Sequence, residues 1–237
     1  MSPDQETSRN LSQKRSFLHN LRTVRRVFFH NTYETHITPQ DYEAHVERFG
    51  NRSEQANILV GVMKQFVPTT MNNSSQAEIL DIAAGTAIIS RALAQEGYTV
   101  TAIDLSQSLL DYLHEHTPSI HIQQADMTTT FPFKNDSYDG VSTMWANRYI
   151  ADTNVFLSEV YRILKPGGSF IWPIYASERV FWKMRNGIAR HTTPIRLMED
   201  GLSMDFSNGQ IIDISHEETR RRKIPQYSIP SYVILTK

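Results

Sequence analysis

Cysteine is absent from the 237 residues of the chain. This excludes a disulfide framework, thiolate catalysis and zinc sites built on thiolates. Long hydrophobic runs are also lacking, since none approaches the ~20 residues that a membrane-spanning helix needs. The polar start MSPDQETSRNLSQKR has no apolar core of the kind found in secretory signals. We therefore expect a soluble cytoplasmic protein in which residues 1–15 are disordered.

An excess of charge of one sign is lacking as well, because 24 basic and 25 acidic side chains leave a net charge of −1. This balance argues against broad, non-specific binding to nucleic acid. Local basic clusters lie within residues 14–26 and 220–223, and we expect either solvated surface or a site for an anionic ligand there. No spacing typical of metal ligands stands out, so we expect no metal. The length fits one α/β domain with additions.

The segment EILDIAAGTAIISRALAQEG, residues 78–97, is the most informative part of the sequence. An apolar run around Asp81 predicts a buried strand, the small residues that follow predict a turn, and residues 88–95 have helical spacing. Such a turn lets the backbone approach a ligand closely. A dinucleotide loop would need the three glycines of GxGxxG, whereas only Gly85 is a glycine here. Asp81 favours an ammonium group over a pyrophosphate, although an ordinary strand–loop–helix remains the alternative.

Four further segments follow in order. Residues 98–104 predict a second strand ending at Asp104, which stands 23 residues after Asp81, close to the ~20 at which a carboxylate meets ribose hydroxyls. Asp104 could also cap the next helix, and both roles are compatible. Residues 120–127 predict a third strand with Asp126 near its end. FPFKNDSYDGV at 131–141 leads into a fourth strand, and LKPGG at 164–168 separates a helix from a fifth.

Together these segments resemble class I methyltransferases that use S-adenosyl-L-methionine (SAM), in the small-molecule branch that includes quinone-biosynthesis and natural-product enzymes. The resemblance covers residues 78–172. It implies a doubly wound, mostly parallel, seven-stranded α/β sheet, the Rossmann-like methyltransferase fold. It also implies an N-terminal helical lid over residues 16–70 and a SAM-binding core over 71–237, with a substrate-covering insertion at about 174–208. Within the lid, the sequence predicts helices over 17–30, from Pro39 to Arg48 and over 55–67. The first loop departs from the D-x-G/A-x-G-x-G pattern at Ala83 and more strongly at Ala87, whose methyl group we expect to crowd the site.

The resemblance and the strand ends imply the site residues. The predicted cofactor-binding set is Asp81, Ala83, Gly85, Asp104, Leu105, Asp126, Met127, Trp145, Tyr42 and Arg48. The predicted substrate set is Tyr33, Asn147, Arg148 and Tyr149. Methyl transfer mainly needs alignment and exclusion of water, but a general base helps some acceptors; His191 is our first candidate and His30 our second. For each of these residues, ordinary packing or surface exposure is the alternative.

We therefore expect methyl transfer from SAM to O, N or C of a small, aromatic or polyketide-like molecule, with S-adenosyl-L-homocysteine (SAH) as product. An RNA or protein methyltransferase is one alternative, although the base-amine motif that would support it is not present at the fourth strand. A protein that keeps the fold but has a binding or regulatory role is the other, and Ala87 favours it. The oligomeric state stays open, with a homodimer as one option.

Overall fold

Seven strands form one sheet in the computed structural model of the chain, which describes residues 38–70, 75–150, 152–175, 193–223 and 230–237. They are β1 Glu78–Ile82, β2 Thr99–Asp104, β3 His121–Gln124, β4 Tyr138–Thr143, β5 Leu164–Tyr175, β6 Asn208–Asp213 and β7 Pro230–Thr236. The order across the sheet is β3-β2-β1-β4-β5-β7-β6. Strands β1 to β5 pair in parallel, and β7 runs antiparallel to both β5 and β6. The expected mostly parallel, seven-stranded sheet is thereby confirmed.

Seven α-helices accompany the sheet within the same ranges. They are α1 Pro39–Gly50, α2 Arg52–Phe66, α3 Ile88–Gln95, α4 Gln107–His116, α5 Thr153–Ile163, α6 Pro194–Leu202 and α7 His216–Arg221, with a 3-10 turn at Asn147–Tyr149. None of the described helices is long and apolar enough to cross a membrane.

Apolar side chains cover both faces of the central strands, which explains why residues 170–175 of β5, FIWPIY, are a continuous apolar run. On one face Ile79 and Ile171 pack with buried residues of α2 and α3. On the other face Leu80 and Phe170 pack with α5 and α6. A Cβ on Gly140 of β4 would lie 3.1 Å from the sulfur of Met63 in α2, so this glycine allows α2 to approach the sheet.

The chain divides into two compact units between Tyr42 and Glu43. In the first unit, the described residues form the first turn of α1, where the Asp41 N–H donates to the Thr38 hydroxyl oxygen at 3.1 Å. The second unit contains the whole sheet. The predicted disordered residues 1–15 lie outside the described ranges, as do 16–37 of the predicted lid. The lid over residues 16–70 and the insertion at about 174–208 stay predictions.

Local sequence signals located most elements, and the exceptions have identifiable causes. The predicted helix over residues 88–95 is α3, and α1 begins at Pro39 as expected. The basic run 220–223 was expected to be solvated surface or a site for an anionic ligand. Arg220 and Arg221 end α7, and Arg222 and Lys223 form the turn that follows. The Ser215 hydroxyl caps this helix by accepting from the Glu218 N–H at 3.1 Å. Acids in the first turn and arginines in the last also suit the helix dipole.

Candidate cofactor and substrate site

In the loop between β1 and α3, every second residue from Ala83 to Ala87 has a left-handed backbone conformation. The φ angles are 57° at Ala83, 58° at Gly85 and 56° at Ala87. This conformation costs an L-residue roughly 1–2 kcal/mol, so two alanines take a shape that glycine adopts freely. Ala87 is fully buried at the start of α3. Its methyl group is enclosed by protein in this structure, which argues against the expected crowding of the ligand.

Asp81 lies on β1 as a fully buried carboxyl group. The Ser90 hydroxyl of α3 donates to Asp81 Oδ2 at 2.5 Å. Burial raises the pKa of Asp81 to about 7; the nearby Asp104 charge adds to this, and the Ser90 hydrogen bond opposes it. Asp81 therefore changes charge near neutral pH, and an ammonium group bound close to it would favour the ionised form.

Asp104 connects the two loops that follow β1 and β2. Its Oδ2 accepts from the Gly85 N–H at 2.9 Å, and its Oδ1 accepts from the Ser106 N–H at 3.0 Å. Leu105 is half-buried, and its carbonyl accepts from Gln124 Nε2 at 3.0 Å. A carboxylate has about four acceptor sites, so these contacts leave capacity for ribose hydroxyls. The ribose role and the local structural role remain compatible.

Asp126 and Met127 follow β3 beside this pair of loops. Asp126 Oδ1 accepts from the Thr128 N–H at 2.9 Å and from the Thr128 hydroxyl at 2.7 Å. Met127 is half-buried against the core on the α5 face. The Ala125 N–H donates to the Asp104 carbonyl at 3.1 Å, which joins the ends of β2 and β3. The adenine role of Asp126 and Met127 stays a prediction.

Trp145 follows β4, is half-buried and contacts the side chains of Gln55, Tyr175 and Arg52. Its Nε1–H donates to Gln55 Oε1 at 2.8 Å. The Tyr175 ring stacks on the indole with centroids 4.0 Å apart and planes 16° apart. The Arg52 guanidinium carbon lies 3.6 Å from the indole centroid, and it must cover the opposite face because the stacked ring fills the first. The cofactor role of Trp145 stays a prediction that requires one face to be uncovered.

The 3-10 turn after Trp145 carries three of the predicted substrate residues, Asn147, Arg148 and Tyr149. Asn147 is only 8% exposed. The Trp172 indole N–H donates to Asn147 Oδ1, and Asn147 Nδ2 donates to the Pro173 carbonyl at 3.4 Å. Asn147 thus fastens the turn to β5, a geometry that favours a supporting role. Tyr149 is half-buried, and the side chain of Arg148 lies outside the described part of the chain.

The remaining predicted residues lie either in α1 or outside the described part of the chain. Tyr42 is half-buried in the first turn of α1, and Arg48 is exposed in its last turn. The catalytic candidates His191 and His30 and the substrate candidate Tyr33 lie outside the described residues. Their roles stay predictions.

Sequence reasoning missed three residues that shape the site: Ser90, Arg52 and Gln55. Tyr175 lies within the predicted substrate-covering insertion at about 174–208. Gln55 carried one usable signal, since it is a polar residue on the buried face of a predicted helix. It is fully buried in α2, and a buried amide needs partners. The other two carried no local signal.

Comparison with known proteins agrees with the motifs. Residues 80–172 match the family described as Methyltransferase domain. A demethylmenaquinone methyltransferase of Streptomyces avermitilis is 34% identical over 110 residues, which are 46% of this chain and 47% of the relative. The chain thus spans about half the length of this curated relative. These matches confirm the resemblance to class I SAM-dependent methyltransferases over the segment that carries the motifs.

Solved structures confirm the fold. A SAM-dependent methyltransferase of Thermotoga maritima, described as a possible histamine N-methyltransferase, has a TM-score of 0.60 at 18% identity, covering 84% of this chain and 95% of that one. The [4+2]-cyclase SpnF has a TM-score of 0.53 at 16% identity, covering 75% and 78%. The chain has the Rossmann-like methyltransferase fold. Because one of these neighbours is named a cyclase, the fold by itself does not determine the reaction.

Proposed function

We propose that the chain binds SAM and transfers its methyl group to O, N or C of a small, aromatic or polyketide-like molecule. One observation carries the proposal: the Asp104 carboxylate accepts from the Gly85 N–H at 2.9 Å, which joins the β1 and β2 loops inside the segment that matches the methyltransferase domain. This is the crevice at the carboxyl ends of parallel strands where α/β folds bind ligands.

The three acids suit the three donor groups of SAM. Asp81 and the loop at Gly85 would face the amino-acid part, where a buried carboxylate favours an ammonium group. Asp104 and Leu105 would face the ribose, and Asp126 with Met127 the adenine. SAM supplies the electrophilic methyl group when bound. The chain's own residues then have to orient the acceptor and exclude water.

Two observations support a small aromatic acceptor. The curated relative in Streptomyces avermitilis is named for demethylmenaquinone. In addition, Trp145 after β4 stacks on Tyr175 at the end of β5. A quinone-like or other aromatic ring is therefore the acceptor we favour. His191 and His30 remain the candidates for a general base.

Calorimetric titration of the folded protein with SAH tests the cofactor, with NAD as the control ligand. We expect micromolar binding of SAH and none of NAD, because the loop lacks the glycines of a dinucleotide site. Labelled SAM with a panel of phenolic and polyketide acceptors then tests the transfer. A folded sample that does not bind SAH would contradict the proposal.

A non-methylating role is the second candidate, and the fold shared with the cyclase SpnF is the observation that favours it. Ala87 does not add to it, because its methyl group is buried in the protein. SAH binding without methyl transfer to any acceptor of the panel would favour this candidate over the first.

A further inference from the structure

The indole of Trp145 fills a flat slot at the carboxyl end of β4. The Arg52 guanidinium carbon lies 3.6 Å from the indole centroid, and the Tyr175 ring centroid lies 4.0 Å from it. These are the spacings of stacked planar groups. The slot between Arg52 and Tyr175 is therefore one aromatic ring thick.

The edge of this slot carries a buried acceptor. Gln55 is fully buried, and its Oε1 accepts from the Trp145 Nε1–H at 2.8 Å and from Arg52 Nη1 at 3.4 Å. If the indole left, the carbonyl would lose its shorter hydrogen bond, and a weakened hydrogen bond to a buried acceptor is costly. A ring that carries a hydroxyl group would supply a replacement donor.

The backbone of Trp145 has an energetically unfavourable conformation. Its φ angle is 61°, a left-handed conformation that is a genuine outlier for a bulky residue. Such residues persist only where their surroundings impose them, and they occur often at ligand clamps and switch regions. Here Arg52, Gln55 and Tyr175 impose it, so removing the ring from the slot would relieve the backbone.

We propose that Trp145 occupies the acceptor subsite in the ligand-free protein and that a planar hydroxyaromatic acceptor replaces its ring between Arg52 and Tyr175. This inference rests on the proposed function, since it concerns the acceptor of the same reaction. The guanidinium face selects an electron-rich ring, Tyr175 selects a flat one, and Gln55 selects a hydroxyl donor. Trp145 thereby competes with the acceptor and lowers its apparent affinity.

The first test observes the ring directly in protein labelled with 5-fluorotryptophan and saturated with SAH. The chain has three tryptophans, and the fluorine resonance missing from Trp145→Phe identifies Trp145. We expect 2-naphthol to shift this resonance. Decahydro-2-naphthol, which has the hydroxyl but is not flat, should leave it unchanged. The shift itself is measured on wild-type protein, and the variant serves only to assign the resonance.

The second test measures 2-naphthol affinity by calorimetry in the presence of SAH. Trp145→Ala removes the competing ring, and we expect binding roughly tenfold tighter than in the wild type. Trp145→Phe keeps a flat ring and should stay within about threefold. The 2-methoxynaphthalene ether, which lacks the donor, should bind more weakly than 2-naphthol to both variants.

The two proposals fail in different ways. Wild-type protein that does not bind SAH would overturn the proposed function. Normal SAH binding, combined with an unmoved Trp145 resonance or with weaker 2-naphthol binding to Trp145→Ala, would overturn only the replacement of the indole. In that case Trp145 would be a fixed wall of the site.

Discussion

Single acids near the carboxyl ends of three neighbouring strands were predictable because each follows an apolar run in the sequence. Asp81, Asp104 and Asp126 needed only the strand pattern and the rule that parallel strands end at one edge. The partners of Trp145 were not predictable in this way. Gln55 lies 90 residues before it, and their contact depends on how α2 packs over the sheet. Local pattern thus identified the proposed cofactor half of the site but not the cover of Trp145.

Asp104→Asn should weaken SAH binding by at least ~1 kcal/mol, about fivefold, because hydrogen bonds to a charged acceptor are lost. The amide oxygen can still accept from one of Gly85 and Ser106, so the protein should remain folded. Calorimetric titration at neutral pH measures the change. Asp111→Asn, the same substitution at an exposed position of α4, should bind as the wild type does. Unchanged affinity in Asp104→Asn would leave Asp104 with only its role in joining the two loops.

Asp81 should make the free energy of unfolding depend on pH. Burial raises its pKa from the usual 3.8 to about 7, so between these values the folded state holds more protons than the unfolded state. Its contribution to stability is therefore fully present below the unfolded pKa and is lost as pH rises through about 7.

Asp81→Asn tests this sign, because an amide does not ionise and can still accept from the Ser90 hydroxyl. We expect the melting temperature of the variant, relative to that of the wild type, to be higher at about pH 8 than at about pH 5. Thermal melts at both pH values measure it, with Asp111→Asn as the control. Parallel pH profiles of Asp81→Asn and wild type would show that Asp81 is ionised in both states.

Helices and strands were predicted best where one periodic run has a clear end. Residues 88–95 form a helix because Ile89 and Leu93 lie on one face and pack into the core. The helix that ends with Arg220 and Arg221 was not predicted, because the run was interpreted from its charge and not from the N-cap that precedes it. Ser215 with Glu217 and Glu218 begins a helix there. The N-terminal boundary of β5 was also missed, since the strand begins at Leu164, before the Pro-Gly-Gly break.

Helix α1 is tied to two helices that begin next to the proposed cofactor loops. The Glu43 carboxylate accepts from Arg91 of α3 and from the Tyr112 hydroxyl of α4, the latter at 3.3 Å. The Arg91 and Glu43 side chains are 29% and 27% exposed, so solvent screens this ion pair and limits its value to about 1 kcal/mol. Its main effect should be local, on the part of α1 that begins at Glu43.

Glu43→Gln should therefore speed amide hydrogen exchange in the later part of α1 while leaving the exchange of β1 unchanged. Hydrogen exchange with mass detection measures both segments. Glu96→Gln removes the Glu96–Lys64 pair, whose side chains are 45% and 50% exposed, and it should leave α1 as in the wild type. Equal exchange of α1 in Glu43→Gln and wild type would mean that other contacts hold the helix.

Across the whole molecule, the basic run connects the last strands of the sheet to the helix that carries Arg52 and Gln55. Arg222 follows α7 and pairs with Glu54 of α2, 168 residues away in the chain, and with Glu218 at 3.0 Å. Its carbonyl accepts from Asn51 Nδ2 at 3.1 Å. The hydrogen bond from Arg222 lowers the pKa of Glu54. Within the described structure, this arginine joins α7 to the start of α2.

Arg222→Gln should lower the melting temperature by about 2–4 °C, since ion pairs of this exposure contribute about 1 kcal/mol and a domain of this size loses a few degrees per kcal/mol. Arg221→Gln is the matched control, because its side chain is 73% exposed and lies 3.8 Å from Glu218. Its melting temperature should stay close to that of the wild type. Thermal unfolding of the three proteins measures the difference. Equal melting temperatures in all three would mean that Arg222, like Arg221, is solvated surface and does not stabilise the contact between α7 and α2.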